Sequence, residues 1–181
     1  RDQLMRDSRT DSLTGLGNRR LLLEKLEHFL GLRQRQGSHA TLSIAVLLLD
    51  IDDFKIINDS LGHEAGNFLL KEIAHSLQTM VRASDVVARL GGDEFALIFA
   101  ANNDEIGVDQ FASRVQKTIS KPRDFNGSVL TVSASIGIAI ATATSDQDSL
   151  LRNADLAMYA SKAAGKGRHS FFQDVMLANV Q

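Results

Sequence analysis

Apolar residues recur at helical spacing in some stretches of the chain and at strand-like density in others, and the two kinds alternate. Residues 19–36, RRLLLEKLEHFLGLRQRQ, set Leu22, Leu26, Phe29 and Leu30 on one face with charges on the other, the stripe of an amphipathic helix. The same period runs through 61–81 (Phe68, Leu69, Ile73, Leu77, Met80), 104–119 (Phe111, Val115, Ile119) and 148–164. Between them, SIAVLLLDI at 43–51 is nearly continuously apolar, which fits a strand buried on both faces. DVVARL and EFALIFA read as two short strands joined at Gly91-Gly92, because adjacent glycines accept the positive φ angles of primed hairpin turns. VLTVSASIGIAIA at 129–141 reads as one long strand, and HSFF at 169–172 as a last edge strand.

The order helix, strand, helix, hairpin, helix, strand, helix, strand predicts an α/β (α+β) single domain built around one sheet. Ahead of the first helix, DSLTGLGN supplies turn and capping residues: Asp11, Ser12, Gly15, Gly17 and Asn18. Gly165 marks the end of the last long helix.

At 181 residues with no linker-like stretch, the chain has the size of one domain. A formal net charge of −2 argues against nucleic-acid binding by bulk electrostatics. With no cysteine, disulfides and thiolate zinc sites are excluded, which fits a reducing cytoplasm. The longest apolar run, Ile44 to Leu49, is too short to span a bilayer, and the charged opening Arg1 to Thr10 lacks the apolar core of a signal peptide. The expectation is a cytoplasmic domain cut from a longer, multidomain or membrane-anchored sensor, with 1–9 the end of an upstream linker or helix and 173–181 the start of a downstream one.

Acidic residues gather where strands end. The first strand runs into Asp50, Asp52 and Asp53, and the hairpin tip carries Asp93 and Glu94. If these elements are neighbours, carboxylates from two backbones converge, and only a cation relieves their repulsion; oxygen-only donors favour Mg²⁺ or Mn²⁺. Spacing alone stops at a candidate divalent-metal site. His28 and His75, on amphipathic helices, His39, in a loop, and Tyr159, a packing residue of the last helix, need no functional role.

The residues Gly91-Gly92-Asp93-Glu94-Phe95 spell the signature of the GGDEF family, the diguanylate cyclases. DSLTGLGNRR at 11–20, DIDDFKIINDSLGHEAGN at 50–67, RASDVVARLGGDEF at 82–95, SIGIAI at 135–140 and NADLAMYASKAAGKGR at 153–168 resemble the family's blocks in order and spacing, across a domain spanning 10–172. The resemblance implies a palm-like, nucleotidyl-cyclase fold with a central mixed, mainly antiparallel sheet flanked by helices. It also implies condensation of two GTP molecules into cyclic di-GMP with release of two pyrophosphates. On that resemblance Asp50, the carbonyl of Ile51, Asp93 and Glu94 hold Mg²⁺ (or Mn²⁺), two ions per site. Asp93 receives a proton, Lys55 stabilises the transferring phosphoryl group, and Lys162 and Lys166 clamp the triphosphate. Backbone amides of Asp53 and Phe54 receive phosphate oxygens, Gly91 and Gly92 leave room for the nucleotide, and Asn58, His63 and Asn67 meet guanine. Catalysis then needs a homodimer, because each domain holds one GTP.

Two positions depart from the family's usual residues. Asn67 stands where aspartate is commonest, and an amide offers one acceptor oxygen beside a donor. Lys166 stands where arginine is common, keeping the charge without the bidentate fork. Arg82 and Asp85 form the RxxD pair that in the family binds product and inhibits. The tail GRHSFFQDVMLANVQ resembles the junction to an EAL phosphodiesterase domain, so the competing expectation is a weak or inactive GTP-binding regulator of an attached EAL domain.

Overall fold

Nothing in β1 (Ser43–Ile51) needs water along most of its length: Ile44 to Leu49 are all buried. Such a strand belongs at the centre of a sheet covered on both sides. The computed structural model, which describes residues 8–37, 40–101 and 105–178, places it there. The five-stranded order is β2-β3-β1-β6-β7, with β2 (Val86–Gly91), β3 (Glu94–Ala101), β6 (Ala134–Ile140) and β7 (His169–Phe171). All neighbours pair antiparallel except β6 and β7, which run parallel.

Period-two alternation splits the central strands between two cores. Leu47, Leu49, Phe95 and Leu97 face α3 (His63–Met80) and α4 (Glu105–Ile119), packing on Leu69, Ile73, Phe111 and Val115. Ile44, Val46, Leu48, Ala96 and Ile98 face α1 (Arg19–Gln36) and α5 (Gln147–Ala163), packing on Leu22, Leu26, Ala154 and Met158. Asn18 caps α1 by accepting from the Leu21 amide at 3.1 Å, and Asp146 with Ser149 forms a capping box on α5.

Three expectations need correcting. The stretch 129–141 is not one strand: β5 (Ser128–Leu130) pairs with β4 (Arg123–Phe125) in a separate ribbon, and β6 begins only at Ala134. The β4–β5 turn has a local cause, since Asn126 and Gly127 both take positive φ (50° and 86°) and close a tight hairpin. The helix of 61–81 is preceded by a distinct short helix, α2 (Phe54–Leu61), and the two meet at Gly62 (φ 91°). Tyr159 is 71% exposed, because the buried stripe of α5 runs through Ala154, Ala157, Met158 and Ser161 and leaves residue 159 outward. The chain ends in a short α6 (Asp174–Ala178). His39, Asp104 and most of the proposed upstream linker, 1–7, lie outside the described residues, as do 179–181.

Candidate active site

The antiparallel register puts Asp50 of β1 directly opposite Glu94 of β3. By alternation both share the face of Leu48 and Ala96, toward α1 and α5. Between β2 and β3 the hairpin turns at Gly91 (φ 139°) and Gly92 (φ 51°), with open space where side chains would stand. Arg89 fixes this tip: its Nε and Nη2 donate to the Gly92 carbonyl at 3.0 and 2.8 Å. Its Nη1 reaches Asp11 Oδ1 at 2.9 Å. Asp11 in turn accepts from the amide and hydroxyl of Thr14. The Ile51 amide donates to the Asp93 carbonyl at 3.2 Å, so the tip is also tied to the end of β1.

The carboxyls of Asp50 and Asp93 therefore meet. Burial, then hydrogen bonding to Asp50 and its charge, push the Asp93 carboxyl up to about 6. Burial and the charges of Asp50 and Asp155 also raise Glu94, against the opposing pull of Arg19 and Lys162. Asp50 Oδ1 is buried and receives no hydrogen bond. Asp50 Oδ2 accepts from Lys162 Nζ. Burial works against the Lys162 ammonium, but the hydrogen bond and charge of Asp50, with Asp93 and Glu94 behind, hold it above its ordinary range. A proton shared between Asp50 and Asp93 relieves their crowding; a cation relieves it too, and a buried acceptor without a donor is where one fits.

Lys162 reaches this edge because α5 lies unusually close to the sheet. A Cβ on Gly137 of β6 would stand 2.0 Å from the Ala154 carbonyl and 2.1 Å from the Met158 amide. Ser161, one residue before Lys162, donates to the Ile136 carbonyl at 2.8 Å.

Beyond β1 the acids separate. Asp52 turns inward and is buried. Asp53 is exposed in a left-handed conformation (φ 55°), and its Oδ1 pairs with Lys166 Nζ at 2.8 Å. Phe54 anchors α2 in the core while Lys55 stays exposed. Asn58 is half-buried against α3: a Cβ on Gly66 would fall 1.9 Å from its Oδ1. His63 and Asn67 are exposed near the start of α3.

The structure thus brings together Asp50, Asp93, Glu94 and Lys162, and places Asp53 with Lys166. It gathers Asn58, His63 and Asn67 on α2 and α3. Arg82 and Asp85 lie at the other end of β2, about 20 Å from the tip at ~3.3 Å per residue. There Arg82 Nε and Nη2 donate to both Asp85 oxygens at 3.2 and 3.1 Å, and the guanidinium stacks 4.7 Å from the Phe99 centroid. Asp11 and Arg89 were not among the expected site residues; the signal available for Arg89 was a charge inside an otherwise apolar strand.

A carboxylate pair at the tip of a two-glycine hairpin, with a lysine across from it, is the arrangement that the sequence match explains. The family model described as "Diguanylate cyclase, GGDEF domain" matches residues 8–168. The chain belongs to this family. This GGDEF domain is 40% identical over 172 residues to the bifunctional diguanylate cyclase/cyclic di-GMP phosphodiesterase MucR of Pseudomonas aeruginosa, covering 94% of the chain but only 24% of MucR. Among solved structures, it resembles the isolated GGDEF domain of TpbB (YfiN) from P. aeruginosa with a TM-score of 0.86 at 36% identity, covering 95% of this chain and 99% of that one. It also resembles the coiled coil and GGDEF domain of DgcB from Caulobacter crescentus in complex with c-di-GMP, with a TM-score of 0.85 at 28% identity, covering 94% and 88%.

Proposed function

We propose that this GGDEF domain is an active diguanylate cyclase, condensing two GTP molecules into cyclic di-GMP and two pyrophosphates. The observation that carries the reading is the meeting of Asp50 with Asp93 beside Lys162, with Asp50 Oδ1 buried and unpaired. Among the described residues no three acidic or histidine side chains form a ready-made metal cluster. A set of two carboxylates completed by the Ile51 carbonyl, Glu94 and substrate oxygens suits Mg²⁺ or Mn²⁺, which retain waters and bind through phosphates. Two such ions per site would lower the pKa of the attacking hydroxyl and neutralise charge on the transferring phosphate.

This chain's own groups do the rest. Asp93, at the hairpin tip beside Asp50, is the group placed to accept the 3′-hydroxyl proton. Lys55, Lys162 and Lys166 neutralise phosphate oxygens, and the amides of Asp53 and Phe54 at the start of α2 receive them. Asn58, His63 and Asn67 contact guanine, and the bare backbone of Gly91 and Gly92 leaves room for the nucleotide. The site holds one GTP, so two domains must face one another. Arg82, fixed by Asp85 and Phe99, presents a preorganised guanidinium to product guanine or phosphate, giving feedback inhibition.

A second reading is favoured by Asn67 and by the likeness to NbdA of P. aeruginosa, a cyclic di-GMP phosphodiesterase 37% identical over 171 residues. In it the domain binds GTP without turnover and regulates an attached EAL domain. Incubation with GTP and Mg²⁺, with cyclic di-GMP and pyrophosphate quantified, separates the two. A product ratio of one to two supports the cyclase; GTP binding without product supports the regulator.

A further inference from the structure

Asp52 is the acid of the 50–53 run to which the proposed chemistry gives no task, yet it carries more hydrogen bonds than its neighbours. It is 9% exposed. Its Oδ1 accepts from Ser135 Oγ at 2.6 Å. Its Oδ2 accepts from Ser133 Oγ at 2.6 Å and from the Gly167 amide at 2.9 Å. Its own amide donates to the Ser133 carbonyl at 2.9 Å. One carboxylate therefore joins the end of β1, the entry to β6 and the loop between α5 and β7.

That loop is the part that needs holding. Gly165, Lys166 and Gly167 pass through positive φ in succession (123°, 64° and 59°), and Lys166 does so with a side chain that this conformation disfavours. Lys162 stands in the last turn of α5 and Lys166 in the loop four residues on, and the two lysines reach the two acids that flank Asp52: Lys162 on Asp50, Lys166 on Asp53. The Asp52–Gly167 bond falls one residue beyond Lys166 and ties the loop to the end of β1.

We propose that Asp52 is a positioning residue that clamps the Lys162–Lys166 segment to the end of β1 and so sets the reach of both lysines over a nucleotide triphosphate. The inference rests on the triphosphate role proposed above for those lysines. An aspartate suits the task because an ionised carboxyl only accepts, and here it meets three donors; an asparagine of the same size would turn an NH₂ toward one of them.

The test is binding without turnover, using a GTP analogue with a methylene bridge between the α and β phosphorus atoms, in Mg²⁺, beside GMP as the short-phosphate probe. Asp52→Asn is expected to weaken the analogue about tenfold, and the milder Ser133→Ala roughly two- to fivefold, the loss of hydrogen bonds to a charged acceptor. GMP affinity stays within twofold of wild type in both. Ser133→Ala keeps the question answerable if Asp52→Asn does not fold. Lys162→Ala and Lys166→Ala are the controls. If they lose analogue affinity while Asp52→Asn and Ser133→Ala do not, or if these lose analogue and GMP alike, the positioning role is overturned. If the lysine variants bind the analogue like wild type, the clamp itself fails and this inference with it.

Discussion

Asn67 is exposed on α3, beside the Gly66 that receives the Asn58 amide. A carboxylate there would accept from guanine N1–H and N2–H together, whereas the amide turns a donor toward one of them. Restoring a charge-assisted bond contributes about 1.5–3 kcal/mol, so Asn67→Asp is expected to tighten GTP binding roughly tenfold or more by calorimetry; equal affinities would remove Asn67 from the base site. Asp93 makes a prediction of the opposite kind. Its folded pKa, about 6, lies above the ordinary 3.8. Its stabilising contribution is therefore present below the ordinary value and lost as pH rises through 6. Allowing for solvent screening of a half-buried group, the loss is about 1–2 kcal/mol. In metal-free urea denaturation, Asp93→Asn should be more stable than wild type by about that amount at pH 7.5, by roughly half at pH 5, and equal near pH 4. A difference that does not change with pH would contradict the crowding of Asp50 and Asp93.

At the scale of elements, the long periodic helices and the Gly91-Gly92 hairpin are legible because their signals are local. Asn126-Gly127 is a strong hairpin signal, while the apolar alternation of Leu130 and Val132 hides the break between β5 and β6. What ends that strand is partly tertiary, since the Ser133 carbonyl is drawn to the Asp52 amide and the Ala134 amide and carbonyl are paired with the Gln116 side chain. The site follows the same division. That acids sit at strand ends can be read from the chain, but that Asp50 faces Glu94 depends on β1 pairing with β3 in one register. Nor does composition distinguish Asp52, which is buried in its hydrogen bonds, from Asp53, which is exposed. Gly137 shows how packing delivers a functional side chain: the atoms that an added Cβ would strike belong to the backbone of α5 and cannot rotate away. Gly137→Ala should cost about 1–3 kcal/mol in chemical denaturation and shift Lys162 off Asp50; a variant as stable as wild type would show that α5 has room to move.

For the molecule as a whole, the acid edge and the Arg82–Asp85 pair lie at opposite ends of β2. Arg82→Ala is expected to raise the concentration of cyclic di-GMP needed for half-inhibition by about tenfold or more, and unchanged inhibition would remove the pair from regulation. No helix among the described residues is long and apolar enough to cross a membrane. The chain spans 24% of the length of MucR. Within the domain, the meeting of Asp50 and Asp93 is proposed as a metal-dependent catalytic edge. The most direct measurement is the initial rate of cyclic di-GMP formation from GTP in Mg²⁺ for wild type and Asp93→Asn, both checked for folding. Wild type is expected to form product at a rate rising more steeply than linearly with domain concentration, and the variant to lose at least ~100-fold, the lower range for removing a positioned proton acceptor. Turnover by Asp93→Asn at the wild-type rate would contradict it.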